Sequence, residues 1–376
     1  MNDIVCISPV DGSELARRRV ATDRDIAEAL AAARQAQREW SQVPLAARKA
    51  GVLAFLEALR AQNDAIVPEL ALQMGRPVRY GGEFRSLEER VRTLVELSDA
   101  ALAPTLPAER PGFRRMIKRV PVGIVLAIAP WNYPYLTAVN SVVPALLAGN
   151  AVILKHAAQT VLVGERFQSA MDQAGLPKHL FTTLNLDHAA AEKLIASRSI
   201  DHVNFTGSVA GGRAIERAAA GTFTTIGLEL GGKDPAYVRP DADFDFAVEQ
   251  LVDGAFFNSG QCCCGIERIY VHEQVYDRFV DAFADLTSRY QLGDPLAQET
   301  TLGPMAAVRF ADTVRAHTSE AVAKGARADR PEGFFRRQGR HRLSDAAGAG
   351  RCRSHHAGDD GGEFWPRRRH HEGRVG

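Results

Sequence analysis

Cysteine is scarce in this chain, with five in 376 residues. The count is odd, and three of the five, Cys262, Cys263 and Cys264, are consecutive, which argues against a disulfide scaffold and for a reducing, cytoplasmic setting. Net charge is nearly absent too, at +1, so the chain as a whole gives no ground for a nucleic-acid or membrane partner. Long hydrophobic runs are missing: "VGIVLAIAPW" covers about half a bilayer span and is cut by proline. The opening "MNDIVCISPVDGSEL" lacks a basic segment followed by an apolar one, so no secretory signal is expected. An ordinary soluble globular composition remains, 45% hydrophobic, on a chain too long for one compact core, and two or more domains are expected.

The texture of the chain changes along its length. From Thr22 to Gln73 the spacing is helical, with Thr22 and Asp25 forming a capping-box pattern ahead of Ile26, Leu30, Ala33 and Trp40. Residues 104–120 are polar, basic and broken by proline, and read as an excursion from the core. Beyond them short apolar runs, "GIVLAIAP", "NAVILK", "HVNFTGS" and "IGLELGGKDPAYV", alternate with helix-like segments. This alternation predicts an α/β fold with a doubly wound parallel sheet. Ligands in such sheets bind beyond the carboxyl ends of the strands, which directs attention to Asn132, Lys155, Ser208 and Glu229.

Each of these residues has an ordinary reading beside a chemical one. A buried free cysteine is most often a small hydrophobe, whereas a thiolate at a cleft mouth is a nucleophile. Zinc is a poor fit to the cysteine run, because three consecutive residues are not expected to point at one ion and no Cys-x-x-Cys or nearby histidine completes the set. Glu229 in "LELGGKDP" is either a paired structural carboxylate or a general base, with two glycines that allow close approach to the backbone. Asn132, between Trp131 and Tyr133 in "APWNYP", is either a turn former or an amide fixed to receive negative charge. Gly207-Ser208 in "FTGSVAGG" ends a strand and opens a helix, a place that suits phosphate, with Gly212 one turn along. Lys155 closes "AVILK", where most lysines are merely solvated.

In this order, "PWNYP", "FTGS", "LELGGK", "FFNSGQCCC" and "GDPLAQETTLGPM" resemble the aldehyde dehydrogenase superfamily, over roughly Ser8 to Arg327. The resemblance implies a nucleophile two residues after Gln261, hence Cys263, with Cys262 and Cys264 as neighbours. It implies that Asn132 and the Cys263 amide hold an oxyanion, and that Glu229 activates water to release a carboxylic acid from a thioester. It further implies a dinucleotide lined by Ile128, Pro130, Trp131, Lys155, Gly207, Ser208, Gly212 and Leu230. An acid three residues after the lysine is usual in NAD-preferring relatives; Ala158 stands there, so the expected cofactor is NAD or NADP. His156, where the family often has proline, has no sequence-level explanation. The resemblance divides the chain into an NAD(P)-binding domain (1–103 and 121–232), an oligomerisation-hairpin-like excursion (104–120) and a partial α/β catalytic domain (233–327). The expected partner is a small-molecule aldehyde, with no nucleic acid and no membrane; the family forms homo-oligomers, but the strand that completes them is not readable here.

The resemblance stops near Arg327. Residues 328–376 are rich in arginine, histidine and glycine, lack Ile, Lys and Met, and carry neither a strand nor a helix period, so a disordered, non-native-like tail is expected. Back-translated and shifted by one base, Ala346–Gly373 becomes compatible with "PQVLADVDHIMRVMTEESFGPVVGIMK", which contains the family's Glu-x-Phe-Gly-Pro motif. A frameshift near residues 325–328 is therefore inferred, and resequencing the coding DNA separates a gene lesion from a sequencing error. A basic nucleic-acid-binding arm and a His-rich metal tract, prompted by "RRRHH" and "RSHH", are the weaker readings of the tail. The second function hypothesis is a catalytically inactive remnant, mostly insoluble or inactive as written.

Overall fold

The computed structural model describes residues 3–329 and 351–353. The chain begins with an antiparallel hairpin, β1 (Asp3–Ile7) and β2 (Glu14–Arg19), a pairing that sequence periodicity did not flag. Four helices follow: α1 (Asp23–Trp40), α2 (Leu45–Arg60), α3 (Asn63–Met74) and α4 (Phe84–Leu102). The capping box is present: Thr22 Oγ1 accepts from the Asp25 amide at 3.2 Å, and the Asp25 carboxylate accepts from the Thr22 amide at 2.8 Å. Trp40, at the end of α1, is buried, and its indole donates to the Leu146 carbonyl at 2.8 Å.

Parallel strands and helices then alternate as β3 (Ile124–Ile128), α5 (Pro134–Leu147), β4 (Ala151–Lys155), α6 (Leu162–Gln173), β5 (Phe181–Thr183), α7 (His188–Ala196), β6 (His202–Gly207), α8 (Val209–Ala219) and β7 (Thr225–Leu230). The sheet order is β5-β4-β3-β6-β7, parallel throughout, so the chain steps outward one way from β3 and then returns to the other side. Helices α5 and α6 each pack against α2, and α7 packs against α8. Every residue of β3 and β4 is buried, as continuous apolar runs in a two-sided sheet require. The expected doubly wound α/β architecture is thus present, with its topological switch between β3 and β6.

One apolar run is divided. "IGLELGGKDPAYV" supplies both β7 and β8 (Asp234–Val238), which lie in different sheets, with the break at Gly231-Gly232. β8 pairs in parallel with β9 (Ile266–Val271) across α9 (Phe244–Phe256), and α10 (Tyr276–Ser288) closes a second, smaller core around Val238, Val248, Leu251, Val252, Phe279 and Phe283. Tyr237 and Tyr270 are register partners on this two-stranded sheet, and both are exposed.

Residues 104–120 do leave the core: all are exposed, and Thr105 and Ile117 exchange main-chain hydrogen bonds at 3.0 and 2.9 Å. After α11 (Val308–Ala323), β10 (Arg327–Asp329) pairs antiparallel with β11 (Arg351–Arg353). This short ladder uses only main-chain groups, so it requires no side-chain period. The rest of the tail, residues 330–350 and 354–376, lies outside the described residues. Among those described, no helix is long and apolar enough to cross a membrane.

Candidate active site

The carboxyl ends of the central strands gather the residues singled out above. Ile128 ends β3 opposite Lys155, the last residue of β4, while Gly207 and Leu230 are partners one rung past Thr206 and Glu229. Pro130, Trp131 and Asn132 form the loop between β3 and α5. Ser208 caps α8, its hydroxyl accepting from the Gly211 amide at 3.1 Å. Gly212 is small because Leu230 packs on it: a Cβ at Gly212 would fall 2.8 Å from the Leu230 side chain.

Asn132 and the cysteine loop are directly joined. The Asn132 side-chain amide donates to the Gln261 carbonyl at 3.1 Å. Asn258 stands between the two loops, donating to the Asn132 carbonyl at 3.1 Å and to the Gln261 carbonyl at 3.4 Å. Gln261 is buried and held at both ends of its amide, donating to the Asn258 carbonyl at 3.0 Å and accepting from the Ala306 amide at 2.8 Å. The glutamine of "SGQCCC" thus fixes the path of the chain into the cysteines. A third loop arrives from β7, where a Cβ at Gly232 would meet the Cys263 carbonyl oxygen at 3.4 Å. Glu229 is exposed, as are Cys263 and Cys264, and Cys262 is half-buried.

Sequence reasoning missed the ion pair beneath this assembly. Arg76 and Glu83 are buried and paired at 3.1 Å. Arg76 also donates to the Asn132 carbonyl at 3.0 Å and packs over the Tyr133 ring at 4.7 Å. Glu83 accepts from the Leu136 amide at 2.6 Å at the start of α5. Burial pushes the Glu83 carboxyl up from its ordinary value, opposed by Arg76 and then by the Leu136 and Tyr135 amides. Tyr133 is driven well up, chiefly by burial and then by the Cys262 thiol beside its hydroxyl. The one sequence signal was an arginine between Gly75 and Pro77, where a solvated side chain is the default. Asn258 was within a quoted motif, yet its left-handed φ of 54° is invisible in a residue list.

Lys155 is not solvated. It is buried, with its ammonium 3.4 Å from the His156 carbonyl, and burial lowers its pKa against the pull of Asp187. His156 now has a role: its Nδ1 accepts from the Ala157 amide at 3.0 Å, so the proton sits on Nε2, which donates to the Pro134 carbonyl at 3.2 Å. It ties the end of β4 to the first turn of α5. Trp131 stacks on Phe310 with ring centroids 4.7 Å apart.

The residues present fit a dinucleotide. A sparsely bonded, buried ammonium at Lys155 offers a donor to hydroxyl groups, and the capped amino end of α8 beside Gly207 offers main-chain amides to phosphate. The cysteine cluster differs from its sequence reading. The three sulfurs lie within 4.8 Å of one another, because Gly265 donates to the Cys262 carbonyl at 3.2 Å and curls the run into a turn.

Comparison with known proteins agrees with this geometry. The profile of the aldehyde dehydrogenase family matches residues 1–338, running past Arg327. The chain is 32% identical over 323 residues to geranial dehydrogenase of Castellaniella defragrans, covering 83% of this chain and 68% of that one. It is 31% identical over 342 residues to succinate-semialdehyde dehydrogenase [NADP(+)] 1 of Mycobacterium tuberculosis, covering 88% of this chain and 75% of the relative. The crystal structure of PnpE in complex with nicotinamide adenine dinucleotide, a protein of Pseudomonas sp. WBC-3, superimposes with a TM-score of 0.84 at 29% identity, over 92% of this chain and 71% of that one. With the loops after β3 and β7 meeting the cysteine turn and the family profile spanning most of its length, this chain belongs to the aldehyde dehydrogenase family.

Proposed function

We propose that the protein oxidises an aldehyde to a carboxylic acid with NAD or NADP through a covalent intermediate on Cys263. The observation that carries this reading is the hydrogen bond from Asn132 to Gln261, which places an amide donor beside the loop that presents Cys263. In the proposed reaction the Cys263 thiolate adds to the aldehyde carbonyl, and the oxyanion is received by the Asn132 amide and the Cys263 main-chain N–H. When bound, the nicotinamide supplies the hydride acceptor. Glu229 then takes a proton from water, which hydrolyses the Cys263 thioester and frees the acid. Lys155 would hold the adenosine ribose, Gly207 and Ser208 the pyrophosphate, and Ile128, Pro130, Trp131, Gly212 and Leu230 would line the dinucleotide. Relatives named for NADP and bound to NAD support both cofactors, and Ala158 adds no carboxylate against a 2′-phosphate.

The same reading includes a cytoplasmic location and the division into 1–103 with 121–232, the 104–120 excursion, and 233–327. A second reading, an inactive remnant, is favoured by the exposure of Glu229, Cys263 and Cys264, since a working site excludes water from its intermediates. Aldehyde-dependent growth of NADH or NADPH absorbance over a panel of aldehydes separates the two. Turnover that disappears in Cys263→Ala supports the enzyme; no reduction of either dinucleotide with any aldehyde supports the remnant.

A further inference from the structure

Two of the three clustered cysteines have no part in aldehyde chemistry, yet their sulfurs converge on that of Cys263. The Sγ atoms of Cys262 and Cys264 are 3.3 Å apart, and all three lie within 4.8 Å of one another. Consecutive side chains on an extended strand point to opposite faces. Here the main chain turns: the Cys262 amide donates to the Gly260 carbonyl at 3.0 Å, the Gly265 amide donates to the Cys262 carbonyl at 3.2 Å, and Gly260 takes a φ of 71°. An ion held by thiolates at about 2.3 Å in tetrahedral geometry needs sulfurs roughly 3.8 Å apart. The Cys262–Cys264 pair lies a little inside that spacing at 3.3 Å, and no pair exceeds 4.8 Å.

The set is soft and open. Among the described residues no imidazole or carboxylate joins the three sulfurs, and Cys263 and Cys264 face solvent, leaving a fourth position for water. Three sulfurs suit a d10 cation such as zinc and not the oxygen-seeking magnesium or calcium.

We propose that Cys262, Cys263 and Cys264 form a three-thiolate site for one soft divalent cation, which blocks the Cys263 nucleophile while it is bound. Three S–H bonds give up their protons to solvent, three metal–sulfur bonds form, water leaves the ion, and no electron is transferred. The site therefore makes the exposed nucleophile responsive to free zinc-like ions.

Cadmium ion alone, titrated into the full chain under a non-thiol reductant, tests this through thiolate-to-metal absorbance and proton release. The expected result is one ion per chain with release of about three protons. Cys262→Ser and Cys264→Ser should each weaken binding at least tenfold, while Cys6→Ser and Cys352→Ser leave it unchanged. Zinc alone should displace the cadmium signal. Unchanged affinity in Cys262→Ser and Cys264→Ser would overturn the site, as would equal affinity in the urea-unfolded chain, where the turn is lost. Neither readout needs aldehyde or dinucleotide, so failure here is distinct from failure of the proposed oxidation.

Discussion

The side-chain amide of Asn132 donates to the main-chain carbonyl of Gln261, joining the loop after β3 to the residue two places before Cys263. The bond sets the orientation of the amide on the cysteine side of its loop. In Asn132→Ala the main-chain bonds from Arg76 and Asn258 to residue 132 persist, so stability should fall by only about 1 kcal/mol. The rate constant kcat should fall about 100- to 1,000-fold with KM for the aldehyde little changed, the signature of a lost oxyanion donor. Steady-state kinetics beside urea denaturation checks both halves.

Arg76 is expected to act on the site through Asn132. Arg76→Met leaves the Glu83 carboxylate buried without its cation, a loss of about 3–5 kcal/mol in urea denaturation. The double variant Arg76→Met with Glu83→Gln removes both charges and should regain most of that stability. It should not regain kcat, because the hydrogen bond to the Asn132 carbonyl stays broken. Full recovery of kcat in the double variant would show that Arg76 serves the fold alone.

His156 makes stability depend on pH. Burial lowers its imidazole to about 4 from 6.5, with the hydrogen bond to Pro134 only partly opposing. The unfolded chain takes up a proton below about pH 6.5 that the folded chain refuses until much lower. The stability tied to neutral His156 is thus whole above that value and is lost as pH falls through about 4, about 3 kcal/mol in all. Urea midpoints compared at about pH 7.5 and about pH 5 should fall more in the natural chain than in His156→Gln, which keeps a donor and does not titrate.

Two glycines with left-handed backbone should respond differently to alanine. Gly75, at φ 83°, faces a Cβ position 2.1 Å from the Pro304 carbonyl oxygen, where the segment leading to Ala306 crosses α3. Gly175, at φ 69°, has open space around it. Gly175→Ala should cost about 1–2 kcal/mol from backbone strain alone. Gly75→Ala should cost more than that and also lower kcat, since the displaced segment carries the Ala306 amide that holds Gln261. Equal losses in the two variants, measured by denaturation, would contradict this role for the Gly75 contact.

What the sequence revealed followed from periodicity and from chemistry at strand ends. β3, β4, β6 and the capping box of α1 were legible because continuous apolar runs and the Thr22–Asp25 spacing are local signals. The β1–β2 hairpin and the three-residue β5 were too short or too polar for a clear period. Asn132, Glu229 and Cys263 stood out by residue type. Arg76 and Glu83 did not, because a buried ion pair arises from tertiary packing that no window of sequence contains. The convergence of Cys262, Cys263 and Cys264 escaped the sequence for a related reason: consecutive residues were not expected to point at one ion, and the turn closed by the Gly265 amide brings their sulfurs together.

The central claim is that Cys263, and neither neighbour, carries the covalent intermediate. Glu229→Gln should retain addition and hydride loss but slow hydrolysis, so that an acyl group accumulates on the protein when aldehyde and NAD or NADP are supplied together. Mass spectrometry of the peptide containing the cysteine run locates it. An acyl adduct on Cys263 is the predicted result; an adduct on Cys262 or Cys264, or aldehyde turnover with no adduct on the run, would contradict the account.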